Sequence, residues 1–482
     1  MGSTTTNTML PPNNPITPFW RTQLDPLDDI RSTPDLPPQS DIVIIGGGYS
    51  GITLAYYLLK QLAEQGDKTT TITLLEARQI CSGATGRNGM SLSIPKYGVH
   101  EVNLESEGGH LRPDIYGHIP TYIERSGLEA GLEIAEFEYA HIQALKDLLR
   151  EENIDCDLNI TRNMNVYLDE ESAEKAKLAY EMLQAKGVKL AEDLHYTGKR
   201  DAEVISGAHN AKACISYTSG TLWPYKFILG LLSKIIKSPQ LNVQTHTPVT
   251  SITTEDNIHT ISTPRGTLRT GKIVYATNAY TAGLLPEYSA NIIPCKGICC
   301  HITVPEGEGK KPAPFLPYSY AIGYGSDVVG GGSYLISRPD GSIIVGGAQA
   351  TFKDKREEWY GVVDDTTLID SAKNYYDGYM QRTFRGWEDS GAYVKEIWTG
   401  VMGYSADSHP HIGEVPNKPG QYVCAGFNGH GMPVILLSAK GLAEMIQKGK
   451  KFEETGMPRL FKTSVERMEK ARNGPEGGDI FA

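Results

Sequence analysis

This sequence contains no stretch of about 18 consecutive apolar residues, which excludes a membrane-spanning helix. Excess positive charge is also missing. Its 46 Lys and Arg against 57 Asp and Glu leave a formal net charge of −11, so a nucleic-acid partner gains no electrostatic support. Cysteine is scarce, with seven in 482 residues. An odd number without a repeating spacing argues against a disulfide framework and suggests reduced thiols in the cytosol. No CxxC is matched by a second CxxC or a His pair, so no metal is expected. Cys299-Cys300 is the only cluster, read as buried strand residues. The first 29 residues lack the basic-then-apolar pattern of a secretory signal. Asp479-Ile480-Phe481-Ala482 is neither a peroxisomal nor an ER-retention tail. A cytoplasmic location is the resulting expectation.

Apolar residues make up 40% of the chain and charged residues 21%, the balance of a globular protein with core enough for two or three domains. The segment Asp41-Ile-Val-Ile-Ile-Gly46-Gly-Gly48-Tyr49-Ser50-Gly51 is an apolar run feeding a GxGxxG turn. Ile52 to Gln65 follows with apolar residues at helical spacing (Leu54, Tyr57, Leu58, Leu62), and a second apolar run from Thr71 ends at Glu76. Strand, glycine turn, helix, strand and acid compose a dinucleotide-binding unit. Gly46 permits the tight turn, Gly48 admits the backbone to a pyrophosphate, and Gly51 lets helix and strand approach. The pyrophosphate then meets the positive end of the helix, and Glu76 accepts hydrogen bonds from the ribose hydroxyls. This unit alone leaves NAD and FAD both open.

After Glu76 comes Ala77-Arg78-Gln-Ile-Cys-Ser-Gly-Ala84-Thr85-Gly86-Arg87-Asn88-Gly89, a small-residue loop carrying arginine and asparagine. It resembles the FAD-dependent oxidoreductases of the D-amino-acid oxidase superfamily, in particular the glycine oxidase, sarcosine oxidase and γ-glutamylputrescine oxidase subgroup with its fungal relatives. The resemblance covers roughly residues 38–465 in motif order. It implies that this loop passes along the pyrophosphate and flavin face, and that the strand ending at Thr277-Asn278 lies beside FAD. It also implies that the backbone at Val249 reaches the adenine. The turn Gly426-Phe-Asn428-Gly429-His430-Gly431-Met432 precedes an apolar helix, Val434 to Ile446, whose N-terminus would face the flavin pyrimidine edge. Reduced flavin is anionic there, which helix-end N–H groups stabilise. In some relatives a cysteine upstream of the Asp-x-His sequence holds flavin covalently. That position falls near Gly400, so non-covalent FAD is expected.

The implied fold class is α/β. A discontinuous Rossmann-type FAD-binding domain is joined to an α+β substrate domain built on a mixed, largely antiparallel sheet. The expected organisation is an irregular leader at 1–38, FAD-binding parts at 39–136, 211–290 and 393–465, substrate-domain parts at 137–210 and 291–392, and a tail at 466–482. Residues 137–188 read as helical, including Glu171 to Lys186. Within 292–352, Ile298 to Val304, Ser333 to Ser337 and Ile343 to Val345 read as strands, and Thr366 to Gln381 reads as a helix.

The fungal relatives carry RNGGHLRPD unbroken, whereas here Met90 to Gly108 separate Arg87-Asn-Gly89 from Gly109-His-Leu-Arg-Pro-Asp114. Residues 90–108 show no clear period and read as translated intron, with a genuine loop insertion as the rival. A native peptide covering Ile94 to Glu107 would refute the first reading.

On the substrate side, Arg338 in Tyr334-Leu-Ile-Ser-Arg338-Pro-Asp-Gly matches the hairpin whose arginine, in glycine oxidase, binds the substrate carboxylate. A fork of two charge-assisted bonds suits that task; a surface arginine beside a turn is the plain alternative. His409 is a candidate for polarising substrate, with His411 nearby, though hydrogen-bonded structural roles fit both. The expected activity is hydride transfer from a small amine or amino acid to FAD, giving an imine, with O2 as acceptor. An alcohol or polyol oxidase of fungal secondary metabolism and a non-catalytic flavin-binding protein are the alternatives.

Overall fold

The computed structural model describes residues 3–88, 109–308, 312–323 and 332–472. Strand β1 (Ser3–Thr6) opens the chain, and β2 (Ile42–Ile45), α1 (Tyr49–Gln65) and β3 (Ile72–Leu75) follow. Next come β4 (His110–Leu111), α2 (Ile119–Ser126), α3 (Leu128–Glu151), β5 (Asn159–Tyr167), α4 (Glu170–Ala185), β6 (His195–Gly198), α5 (Lys199–Ser206) and β7 (Ala213–Thr221). The chain continues through α6 (Pro224–Ile235), β8 (Leu241–Gln244), β9 (Ser251–Glu255), β10 (Ile258–Thr263), β11 (Gly266–Thr270), β12 (Lys272–Tyr275) and α7 (Thr281–Leu284). The remaining elements are β13 (Ile292–Thr303), β14 (Ser319–Ile322), β15 (Ser333–Ser337), β16 (Ile343–Gly346), α8 (Tyr379–Thr383), β17 (Tyr393–Ser405), β18 (His411–Glu414), β19 (Gln421–Ala425), α9 (Ile435–Lys448) and α10 (Val465–Arg472).

Three sheets organise these elements. The first runs β18-β19-β12-β2-β3-β8, parallel except for β18. Its strands β2 and β3 are buried along their whole length, as unbroken apolar runs in a sheet covered on both faces should be. Helix α1 packs against α6 and α9. The second sheet runs β17-β13-β16-β15-β14-β5-β7-β4, with β6 on β7, and every pairing is antiparallel except β14 with β5. The third, β1-β9-β10-β11, is antiparallel.

The leader is mostly irregular, as read, with one short strand: β1 pairs with β9, and the Trp20 indole donates to the Asn88 carbonyl at 2.8 Å. Three readings from sequence need correction. Within 137–188, strand β5 separates two helices, because its neighbours in space are β7 and β14; the helix formers flanking it obscured it. The expected helix over 366–381 is replaced by a short 3-10 turn at Asp370–Ala372 and by α8. Gly378 adopts φ +62°, outside the helical region, so no regular helix runs through it into α8. Finally, β7 and β17, assigned from sequence to FAD-binding parts, hydrogen-bond within the second sheet. Cys299 and Cys300 are buried on β13, as expected. The tail begins in α10, whose Met468 is buried. No helix among the described residues is long and apolar enough to cross a membrane.

Candidate active site

A cleft enclosing about 1340 Å³ of empty space, partly open to solvent, lies beyond the carboxyl ends of β2, β3 and β12. Such a crevice is where doubly wound sheets bind ligands. Its floor is the glycine turn. Gly46 has φ +116°, and a Cβ there would sit 2.4 Å from the Ala276 carbonyl oxygen. A Cβ on Gly51 would lie 1.9 Å from the Gly46 oxygen, so the helix reaches its strand only because both residues are glycine. Gly48 caps α1. The first-turn N–H groups of a helix have no partner within it, and here they begin at the cleft wall.

Glu76 follows β3 directly, with each carboxylate oxygen taking one backbone N–H: Oε2 from Gly47 at 2.7 Å and Oε1 from Arg78 at 2.8 Å. The remaining lone pairs suit ribose hydroxyls. A cradle that side chains would fill, a helix N-terminus and an acid are what a dinucleotide requires, and these residues fit FAD.

Gly46, Gly48, Tyr49, Ser50, Glu76, Ala77, Arg78, Ala84, Thr85, Asn88, Val249, Thr277, Asn278, Gly429, Gly431 and Met432 line the cleft. Six other residues read from sequence as cofactor-binding stand behind it. Gly51 and Gly86 are close-packing positions; a Cβ on Gly86 would meet the Cys81 oxygen at 2.1 Å. Gly426 and Phe427 donate their N–H groups to Asn278 Oδ1 at 3.0 and 3.3 Å. Asn428 Oδ1 accepts the Ser405 N–H at 2.7 Å. Both sets of bonds anchor the turn that carries Gly429 and Gly431.

Arg87 is turned away from the cleft. It donates to the Ser82, Thr399 and Ile16 carbonyls and lies 3.1 Å from Asp365. Burial pushes its pKa down to about 10 against the pull of Asp365. Arg78 makes a two-pronged pair with Asp365, 3.0 Å at each oxygen, so its guanidinium is committed to the protein.

His430 lines a second, smaller cavity with Asp114, His118, Glu138 and His409. Its Nε2 is 2.7 Å from Glu138 Oε2, which also accepts the Asp114 N–H at 2.7 Å. Burial raises the pKa of Glu138, an effect that the nearby His430 opposes. Burial likewise disfavours the Asp114 carboxylate, but the His118 ring and N–H groups outweigh it and hold that carboxyl well below its usual range.

Two expected substrate-side residues lie elsewhere. Arg338 is buried away from the cleft, with its Nη2 2.6 Å from Asp157 Oδ2 and its guanidinium over the rings of Trp20 and Trp223. His409 sits against Tyr122, ring centroids 4.9 Å apart, and does not line the main cleft. His411 is held neutral by burial, with Nδ1 3.2 Å from Thr463 Oγ1.

Sequence reasoning missed Asn7, Met9, Leu10 and Pro11, and also Val401, Met402, Phe427 and Ile435, all lining the cleft. The second group flanks motifs already recognised; nothing periodic marks the first. Cys81 also lines the cleft, and burial raises its thiol pKa well above the ordinary value. The expectation on residues 90–108 lies outside the described residues. Their flanks are close: Asn88 Oδ1 accepts the Gly109 N–H at 3.2 Å.

A family model described as FAD dependent oxidoreductase (DAO) matches residues 41–445. Gamma-glutamylputrescine oxidoreductase of Escherichia coli strain K12 is 22% identical over 413 residues, 84% of this chain and 83% of that protein. The crystal structure of glycine oxidase from Geobacillus kaustophilus superposes with a TM-score of 0.63 at 18% identity, covering 88% of this chain and 99% of that one. L-proline dehydrogenase from P. horikoshii gives 0.62 at 21%, covering 86% and 95%. At these identities the superpositions speak for the fold.

Proposed function

Because the chain belongs to the family of FAD-dependent oxidoreductases, we propose that it oxidises a small amine or amino acid, converting C–N to C=N. Dioxygen takes up the two electrons and two protons as hydrogen peroxide, and water hydrolyses the imine after release. When bound, FAD supplies the acceptor for the substrate hydride.

The chain's own residues do the rest. The Gly46–Gly51 turn and the start of α1 hold the pyrophosphate, and Glu76 holds the ribose. Asn278 and Asn428 fix the Gly429–Gly431 turn through the bonds to Gly426, Phe427 and Ser405.

One observation carries the reading. Among the described lining residues the charged side chains are Glu76 and Arg78, both already bonded to neighbours. Val401, Met402, Phe427, Met432 and Ile435 give another part of the wall an apolar character. An apolar wall disfavours an ammonium group and selects the neutral amine, from which hydride leaves without a strong base.

The visible spectrum of the purified protein, recorded anaerobically with pooled amines and amino acids, tests this. Bleaching of the flavin bands supports amine oxidation. Bleaching with polyols alone would move the assignment to alcohol oxidation, and no bleaching with either pool would leave a flavin-binding protein without this activity. Position 400 is Gly and the Cys81 thiol is held protonated, so FAD is bound without a covalent link. Acid precipitation should release the yellow chromophore into the supernatant; colour in the pellet would contradict this.

A further inference from the structure

We propose that residues 3–12 form a clasp over the FAD cleft and control how slowly FAD leaves. The inference rests on FAD as cofactor and is independent of the substrate.

The clasp is attached at both ends. At its start, β1 extends the β9 edge from Ser3↔Thr254 to Thr6↔Ser251. At its finish, the Pro12 carbonyl accepts from Arg78 Nη1 at 3.0 Å, on the residue whose N–H binds Glu76. Between these points Asn7 is the main tie. Its N–H donates to the Thr250 carbonyl at 2.7 Å, its Nδ2 to the Val249 carbonyl at 2.8 Å, and its Oδ1 accepts the Met9 N–H at 2.9 Å. The Thr8 N–H reaches the Gly283 carbonyl at 3.2 Å.

Asn7, Met9, Leu10 and Pro11 line the cleft together with Glu76 and Val249. The acid at the end of the second strand marks the ribose position, so the covered ligand is the adenosine half of FAD, with Met9, Leu10 and Pro11 offering apolar surface to the purine. Leu10 is nonetheless 40% exposed. The clasp is therefore thin, with cleft on one side and solvent on the other, and it opens by breaking a few hydrogen bonds without disturbing the parallel sheet.

Gly283 supplies the room. A Cβ at this buried position would lie 2.4 Å from Asn7 Oδ1 and 2.8 Å from Met9 Cβ, so a larger residue pushes the clasp outward from beneath.

The test is the rate of FAD release from holoprotein, followed by fluorescence with excess flavin-binding apoprotein as trap and no substrate present. Asn7→Ala and Gly283→Val should each raise the rate about tenfold, and deletion of residues 3–12 about a hundredfold, on the scale of one and several lost hydrogen bonds. Release from both single variants within twofold of the parent overturns the clasp, whether or not the deletion folds. A rise in Gly283→Val alone also overturns it, by assigning the effect to the adjacent Leu284, which itself lines the cleft.

Discussion

Glu76 and Arg338 show what a charged side chain does when its neighbours decide its role. Glu76 presents a carboxylate already aligned by the Gly47 and Arg78 N–H groups. Glu76→Ala removes the ribose acceptor and releases two N–H groups, so FAD affinity of the apoprotein should fall roughly tenfold to a hundredfold, read by fluorescence quenching. Arg338 behaves differently. Its partner Asp157 is partly exposed, with 24% of that side chain accessible against 3% for Arg338, so the pair is worth less than a fully buried one. Arg338→Ala should lower unfolding free energy by about 1–3 kcal/mol through the lost pair and aromatic stacking, with KM for the substrate unchanged. Urea midpoints and steady-state kinetics separate the two effects, and a tenfold rise in KM at unchanged stability would restore the substrate-binding role expected from sequence.

Between elements, His141 couples α3 to α9. Its Nδ1 lies 2.7 Å from the Phe137 carbonyl and its Nε2 accepts the Leu437 N–H at 3.1 Å, so the ring must be neutral. Burial, the largest cause, lowers its pKa from 6.5 to about 4. The unfolded chain therefore binds this proton more readily than the folded one. Its contribution is fully present above pH 6.5, is lost as pH falls towards 4, and changes little below that. The loss amounts to about 3 kcal/mol. Urea unfolding across this range should show a drop smaller by that amount in His141→Gln, whose side chain does not titrate; identical pH profiles would contradict the coupling. α9 carries the wall residue Ile435, so this docking also shapes the cleft.

At the scale of the whole molecule, the cleft draws on segments from residue 7 to residue 435, and no single stretch of chain contains the site. The interruption at 90–108 follows one of these segments, the loop that ends at Asn88. With Asn88 and Gly109 already hydrogen-bonded, a chain joined from Gly89 to Gly109 should close without rearranging β4. The protein lacking residues 90–108 should therefore fold and bind FAD, seen as flavin absorbance after gel filtration; a colourless, aggregated product would show that the segment is needed.

The dinucleotide unit was legible because it is local: glycine turn, helix, second strand and acid follow within 36 residues, from Asp41 to Glu76, and each is specified by its neighbours in the chain. The later FAD segments were legible as motifs for the same reason, and most of the residues singled out in them do line the cleft. Partnership across the fold was not. Nothing near Arg78 announces Asp365, 287 positions away, or tells Arg338 that Asp157 will neutralise it. The polar, proline-rich leader has no period to mark it as a wall of the cleft, because its strand is formed by hydrogen bonds to β9 rather than by its own pattern. Sequence determined that a dinucleotide binds and which turn receives it, through short-range sterics and helix-end electrostatics, while FAD followed from the resemblance in motif order. Tertiary structure alone decided which charges face the cleft, since an ion pair depends on distance in space and carries no signature along the chain.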